Sequence, residues 1–161
     1  MSRLDQAIRR LEAQRLLLDR ACAGLPQGPV LELGLGNGRT YDHLREKLGP
    51  ARAIHVFERY VAVHPDCLPP ETLLHLGDMR ETLPAWAAEN GAAAVLAHAD
   101  TGSGDSDATA DFATFLSQAL PDCLAPGAIA LSDQPLSSPA LAPVDLPDGV
   151  PPDRYFIYRR V

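Results

Sequence analysis

The residues with the clearest potential for chemistry form a glycine-rich turn near the start of the chain. Residues 32–38 read E-L-G-L-G-N-G, with a short apolar run before them and helical spacing of apolar residues after them. Glycines allow left-handed backbone conformations and leave space for a ligand to approach. The start of the following helix offers free N–H groups and the positive end of the helix dipole. Together these features predict a binding site for a ligand that carries an anionic group.

The spacing of the glycines separates two classes of nucleotide-binding fold. Dinucleotide sites use G-x-G-x-x-G, and Arg39 occupies the position of the third glycine, which argues against an NAD-type dehydrogenase. The pattern E-x-G-x-G-x-G from Glu32 to Gly38 instead resembles the first motif of the class I S-adenosylmethionine (SAM) dependent methyltransferases. The chain is similar to a small, single-domain, bacterial-type member of that family. The resemblance extends over residues 28–133.

Acidic residues follow the second and third expected strands. Glu58 lies twenty positions after Gly38, and an acid at such a place can accept hydrogen bonds from both ribose hydroxyls. For Asp78 the resemblance implies a contact with the adenine amino group, and for Glu32 a contact with the amino group of SAM. The alternatives are a surface charge for Glu58 and a turn or helix cap for Asp78. For Glu32 they are a partner on the N-terminal helix or a solvent-facing position on the strand.

The expected fourth strand ends in His98-Ala99-Asp100. The resemblance places this motif where the methyl group meets its acceptor. His98 and Asp100 are therefore our candidates for the catalytic residues, which would position or deprotonate the acceptor. The N/D-P-P-Y/F signature of many N-methyltransferases is missing here, which argues against DNA and protein glutamine amides as acceptors.

A metal-assisted reaction is an alternative that two segments raise. Catechol-type O-methyltransferases carry D-A-D-K after strand four and D-N after strand five. This chain has H-A-D-T at residues 98–101 and Asp133-Gln134 instead. The side chains of His98, Asp133 and Gln134 are of types that can bind a divalent ion. The lysine is missing, however, and two of the three ligand types differ, so we expect these residues to line the pocket without a metal.

The resemblance implies one set of contacts with the cofactor, SAM, at the ends of four strands. These residues are Glu32, Leu33, Gly34, Leu35, Gly36, Asn37, Gly38, Thr40, Glu58, Arg59, Gly77, Asp78, Met79 and Ala99. The implied function is transfer of a methyl group from SAM to an unidentified acceptor, which we expect to be a small molecule. A SAM-binding protein without catalysis is the other alternative, because its binding motifs would look the same.

Strand and helix patterns alternate along the chain, which predicts an α/β fold. We expect a Rossmann-like, doubly wound, mostly parallel sheet of about six strands with helices on both faces. No helix fits between the last two strands, so the final strand is expected to run antiparallel to its neighbour. The single domain then divides into an N-terminal helix (1–24), a cofactor-binding core (28–133), a proline-rich loop (134–152) and a terminal strand (153–161).

Two of the expected helices lead to specific predictions. In the first helix Leu4, Ile8, Leu11 and Leu18 lie on one apolar stripe. We expect this helix to pack on the edge of the sheet or to cover the cofactor site, and a second copy of the chain, forming a homodimer, is the alternative partner for its apolar side. Pro84 is expected in the first turn of a later helix.

Composition limits the partners and the location of the protein. The net charge is −7, so the surface repels phosphate backbones and argues against nucleic acid as a partner. Three widely separated cysteines argue against a disulfide framework. Neither a signal-peptide pattern nor an apolar run long enough to cross a membrane is present. We therefore expect a cytoplasmic protein that does not contact membranes.

Overall fold

A seven-stranded sheet forms the centre of the protein, and the computed structural model describes all residues 1–161. The strands are β1 (Val30–Leu33), β2 (Ile54–Glu58), β3 (Leu74–Leu76), β4 (Ala94–Ala99), β5 (Leu124–Ser132), β6 (Leu141–Val144) and β7 (Phe156–Arg160). Their order in the sheet is β3-β2-β1-β4-β5-β7-β6. β1 to β5 are parallel, and β7 is antiparallel to both of its neighbours. The strand order reverses between β1 and β4, which is where doubly wound sheets place their ligands.

Four α-helices cover the sheet: α1 (Arg3–Cys22), α2 (Arg39–Leu48), α3 (Met79–Asn90) and α4 (Ser106–Ala119). Alternate residues of β1 point to opposite faces, because the side-chain period of a strand is two. Val30 packs in one cluster with residues of α1 and α2, and Leu31 packs in a second cluster with residues of α3 and α4. We call these two sides the α1/α2 face and the α3/α4 face. The prediction of a doubly wound sheet with helices on both faces is confirmed.

Helix α1 differs from the prediction in which of its residues are buried. Its start is well specified, because Ser2 and Asp5 form a reciprocal capping box. Leu18 is buried, but Leu4, Ile8 and Leu11 are 69%, 45% and 41% exposed. Only the second half of the helix packs on the sheet, and every residue before Ala13 is exposed. The predicted apolar stripe therefore contacts the protein at one end only.

Two predictions that were based on prolines are wrong. Residues 134–152, expected to be an irregular loop, contain the strand β6, which pairs with β7 at the edge of the sheet and includes Pro143. An edge strand tolerates proline because one of its sides has no partner strand. Pro84 lies inside α3 rather than in its first turn, since the helix begins earlier, at Met79, where Asp78 caps it.

Strand β5 is nine residues long and includes Pro126-Gly127. Ala94 pairs with Leu124, but Leu96 pairs with Ile129, so the residues between those two partners bulge out of the ladder.

No helix is both long and apolar enough to cross a membrane.

Candidate functional site

The glycine turn lies between the ends of β1 and β4, where the chain has little room. Gly34 has φ +90°, and a Cβ on it would lie 2.6 Å from the carbonyl oxygen of Asp100. Gly36 has φ +52°, and a Cβ there would meet no atom within 4 Å. The first glycine therefore lets two strand ends approach, whereas the second borders open space.

Glu58 at the end of β2 binds the glycine turn directly. Its Oε2 accepts hydrogen bonds from the backbone N–H groups of Leu35 at 2.8 Å and Gly36 at 3.2 Å. Its Oε1 accepts from the N–H of Arg59 at 2.7 Å. The carboxylate thus stands beside the turn, where the sequence predicted an acid for a ribose.

Asp78 at the end of β3 has the capping role that was the alternative for it. Its Oδ1 accepts a hydrogen bond from the N–H of Arg80 at 2.9 Å at the start of α3. Its Oδ2 lies 3.8 Å from the guanidinium of Arg59. One carboxylate oxygen therefore caps the helix, and the other faces Arg59, the residue after β2.

A groove runs along the carboxyl ends of the strands, and we call it the carboxyl-edge groove. Its wide part has a volume of about 540 Å³ and its narrow part about 180 Å³. Gly34, Gly36 and Asp100 line both parts, so the two parts meet at these residues. The wide part also contains Glu58, Arg59, Gly77, Asp78, Met79, Arg80, Thr101, Gly102, Ser103, Ala108, Thr109 and Phe112. The narrow part also contains Arg10, Leu11, Gln14, Leu35, Asn37, Arg39 and Thr40.

Five of the predicted site residues do not line this groove: Glu32, Leu33, Gly38, His98 and Ala99. Glu32 and His98 are 0% exposed and form a buried pair, with His98 Nδ1 2.7 Å from Glu32 Oε1. Thr40, which does line the groove, donates to the same carboxylate oxygen at 3.4 Å. The other oxygen, Glu32 Oε2, is buried with no hydrogen-bond partner in the protein. The pair thus lies just behind the wall of the narrow part.

Burial and charge oppose each other at both members of this pair, and the pKa of each member ends above its usual value. Burial raises the pKa of Glu32 above its usual 4.5, although His98 opposes this. Burial alone would lower the pKa of His98, but Glu32, Asp100 and Asp133 raise it above 6.5. The pair therefore keeps its protons to higher pH than two separate groups would.

Asp100 is the catalytic candidate that reaches the groove, and helix α1 holds its carboxylate. Its Oδ2 accepts hydrogen bonds from Arg10 at 2.5 Å and from Gln14 Nε2 at 2.9 Å. The Nε2 of Gln14 also donates to the hydroxyl of Tyr155 at 2.8 Å, and that hydroxyl lies 2.9 Å from His98 Nε2. Side chains of helix α1 and of Tyr155, the residue before β7, thus connect residues near the ends of β1 and β4 by hydrogen bonds.

Sequence reasoning missed Arg10, Gln14 and Tyr155 as members of the site. Gln14 had a usable signal, since it continues the apolar stripe of α1 three positions after Leu11 and yet is polar. It is only 4% exposed. A polar residue at a buried helix position needs partners, and its partners here are those of the site.

The side chains considered above as metal ligands, those of His98, Asp133 and Gln134, form hydrogen bonds with other groups of the protein. The two carboxylate oxygens of Asp133 accept from the N–H groups of Thr101 at 3.0 Å and Gly102 at 2.9 Å. Both ring nitrogens of His98 have partners, and Gln134 Nε2 donates to Asp133 at 3.2 Å. No group of three or more His, Cys, Asp and Glu side chains is arranged as a metal site. Asp133 instead orders the loop after β4.

The whole chain is similar to known methyltransferases. A family profile described as S-adenosyl-L-methionine methyltransferase matches residues 1–160. The crystal structure of an S-adenosyl-L-methionine methyl transferase from Silicibacter pomeroyi DSS-3 is 48% identical, with 100% of this chain and 99% of that one covered and a TM-score of 0.92. A search of curated protein sequences gives no match.

More distant structures share the fold. The 1,6-didemethyltoxoflavin-N1-methyltransferase of Burkholderia thailandensis, solved with bound 1,6-didemethyltoxoflavin and S-adenosylhomocysteine, is 15% identical (92% of this chain, 78% of that one, TM-score 0.55). Aeropyrum pernix fibrillarin, solved with S-adenosyl-L-methionine, is 16% identical (83% and 66%, TM-score 0.52).

Proposed function

Because the chain belongs to the S-adenosyl-L-methionine methyltransferase family, we propose that its carboxyl-edge groove binds SAM and brings a small-molecule acceptor to it. The protein is a SAM-dependent methyltransferase with SAM as its cofactor. Where SAM lies on the chain, which residues hold it and which class of acceptor receives the methyl group are proposed below.

The observation that carries the proposal is the meeting of the two parts of the groove at Gly34, Gly36 and Asp100. SAM is an elongated molecule with a methionine end and an adenosine end. A groove with a narrow part and a wide part on either side of a glycine turn fits that shape. The open space beside Gly36 is the place where a side chain would otherwise obstruct the ligand.

The donors and acceptors in each part suit different ends of SAM. In the narrow part, Arg10 and Arg39 lie near the start of α2, and their charges and the helix dipole favour the methionine carboxylate. In the wide part, Glu58 has acceptor capacity for ribose hydroxyls, and Asp78 with Met79 lies where we expect adenine. Leu33, Gly38 and Ala99 do not line the groove, so we assign them no direct contact with SAM.

SAM supplies an electrophilic methyl group, so the chain itself must mainly bind, orient and exclude water. Asp100 borders both parts of the groove and is our candidate for orienting the acceptor or accepting its proton. His98 is fully buried with both nitrogens engaged, so we assign it an indirect role through its neighbours.

The acceptor is proposed to be a small molecule that enters between α1 and the loop at residues 101–107. The net charge of −7 supports this choice, because such a surface repels nucleic acid. We also propose a cytoplasmic location, which the three free cysteines favour.

The binding proposal is tested by calorimetry with SAM and S-adenosylhomocysteine (SAH). We expect Glu58→Gln to weaken SAH binding by about tenfold, since it removes a charged acceptor from the turn. Glu71→Gln is the matched control, because Glu71 is exposed and lies outside the groove. Equal affinities of the two variants would contradict the placement of SAM.

The acceptor class is tested by transfer of labelled methyl from SAM. Small-molecule mixtures and purified tRNA and rRNA are offered in parallel reactions. Label in a low-mass product supports the proposal. Label in RNA alone would overturn the small-molecule assignment while leaving the SAM site intact.

A further inference from the structure

A buried hydrogen-bond chain connects the two acids that flank the glycine turn. It begins at Glu32, continues through His98 and Tyr155, and reaches Asp100 by way of Gln14. Each link is between 2.7 and 2.9 Å long. The chain therefore runs from behind the narrow part of the groove to the residue that borders both parts.

The direction of every link follows from the donors available. The Asp100 carboxylate can only accept, so the atom of Gln14 that faces it must be the amide nitrogen. That nitrogen has two hydrogens, and the second points to the Tyr155 oxygen. When His98 is neutral, the hydroxyl hydrogen of Tyr155 has one acceptor left, His98 Nε2. In that form His98 carries its hydrogen on Nδ1 and donates this hydrogen bond to Glu32.

We infer that Tyr155 is a positioning residue of the methyl-transfer site, because its hydroxyl connects the His98–Glu32 pair to the Gln14 amide that holds Asp100. Tyr155 is 0% exposed and its ring lies parallel to that of His98, with 5.9 Å between centroids. The ring packing restricts the hydroxyl to this place. The inference rests on the proposed function of the groove.

Breaking the link has a defined consequence at each end of the chain. Without the hydroxyl, His98 Nε2 loses its donor and Gln14 loses one acceptor in a region closed to water. Gln14 is then free to turn, and Asp100 keeps Arg10 as its only side-chain partner. Since Asp100 borders both parts of the groove, ligand binding should weaken although Tyr155 touches no ligand.

The test compares two tyrosines that lie close together near the C-terminal end of the chain. Tyr155→Phe removes the hydroxyl on the α1/α2 face, and Tyr158→Phe is the matched control. Tyr158 is also buried, lies three positions away on β7, and its hydroxyl oxygen accepts from the N–H of Leu136 at 2.8 Å on the α3/α4 face. Tyr155→Phe loses two buried hydrogen bonds, both of them links of the chain, whereas Tyr158→Phe loses one buried hydrogen bond outside the chain.

Two measurements are made on each variant. Nitrogen-15 NMR of the histidine rings is recorded without any ligand, at a pH above the raised pKa of His98, so that the ring is neutral. It should show His98 Nε2 as a hydrogen-bonded acceptor in the wild type and as an unbonded nitrogen in Tyr155→Phe. Calorimetry should show SAH binding about tenfold weaker in Tyr155→Phe and unchanged in Tyr158→Phe. An unchanged Nε2 resonance, or an SAH affinity equal to that of the control, would overturn the inference.

A second variant guards against a Tyr155→Phe protein that does not fold. Gln14→Met keeps the length of the side chain and the helix propensity but removes both donors. It should also bind SAH about tenfold less tightly, and wild-type affinity would overturn the inference. If the wild type itself fails to bind SAH, the proposed function fails. If the wild type binds SAH and the variants bind it with the same affinity, the inference about Tyr155 fails while the proposed function stands.

Discussion

Each face of the sheet holds one cluster that contains histidine: the Glu32–His98 pair on the α1/α2 face and the His55–His75 pair on the α3/α4 face. The two clusters differ in their neighbours. On the α1/α2 face His98 is fully buried between Glu32 and Tyr155. On the α3/α4 face His55 Nδ1 lies 3.0 Å from His75 Nε2, and both rings are only partly buried. Trp86 packs edge-on against His55, with 5.3 Å between ring centroids.

The neighbours decide how each histidine titrates. Acids around His98 raise its pKa, whereas burial and the adjacent His75 lower the pKa of His55. Burial also lowers the pKa of His75, against the effect of Glu89. The acids beside His98 agree with the indirect role that we propose for it, whereas His55 and His75 pack against each other and against Trp86.

The largest effect should come from breaking the pair on the α1/α2 face. Glu32→Ala leaves His98 buried without its carboxylate, which we expect to lower the free energy of unfolding by about 3–5 kcal/mol. SAH binding should weaken together with stability. Urea unfolding and calorimetry check this, and a loss below about 1 kcal/mol would mean that the pair is not coupled in the folded protein.

A packing change on the α3/α4 face should separate stability from binding. Leu116 is fully buried there, and Leu116→Ala should cost about 2–5 kcal/mol in urea unfolding because it leaves a cavity. The SAH affinity should equal that of the wild type at a temperature where the variant is folded. A parallel loss of affinity would remove the distinction between the two faces.

The two clusters should also respond to pH in opposite directions. His55 and His75 have lowered pKa values in the folded state, so the unfolded chain binds more protons and stability falls as the pH drops below about 6.5. Glu32 and His98 have raised pKa values, so their contribution is present at low pH and is lost as the pH rises above their ordinary values, 4.5 and 6.5.

Urea unfolding of two double variants from about pH 5 to pH 8 measures these two slopes separately. His55→Gln/His75→Gln should lose the decline at low pH, and Glu32→Gln/His98→Gln should lose the decline at high pH. The same change in both variants would show that neither cluster is the source.

The smallest effect is expected at Trp86. Its Nε1 is buried without a hydrogen-bond partner, so Trp86→Phe removes an unsatisfied donor along with some apolar area. These two effects oppose each other, and the free energy of unfolding should change by less than about 1 kcal/mol. Thermal or urea unfolding decides this, and a loss of several kcal/mol would indicate a hydrogen-bond partner for the indole.

The sequence predicted those parts of the fold and the groove that depend on neighbouring residues in the chain. The glycine turn was visible because a strand, a turn and a helix follow one another within a few positions. Glu58 and Asp78 were visible because each directly follows an apolar strand, and parallel strands bring their carboxyl ends together.

The missed residues depend on contacts that sequence patterns do not record. Gln14 and Tyr155 are separated by 141 positions, and neither lies in a motif. Pro143 concealed β6, because proline argues against a strand unless the strand lies at an edge. The exposed start of α1 was also not predictable, since periodicity shows which residues share a stripe but not how far the sheet extends beneath it.

Both edge strands of the sheet are poor templates for another chain. β3 has only three residues, and β6 has four, of which Pro143 has no N–H to donate. Long, flat edges with unpaired backbone groups are the places where proteins join edge to edge into aggregates. The proline that concealed β6 in the sequence therefore also protects the folded protein, and it should help the protein stay dispersed at high concentration.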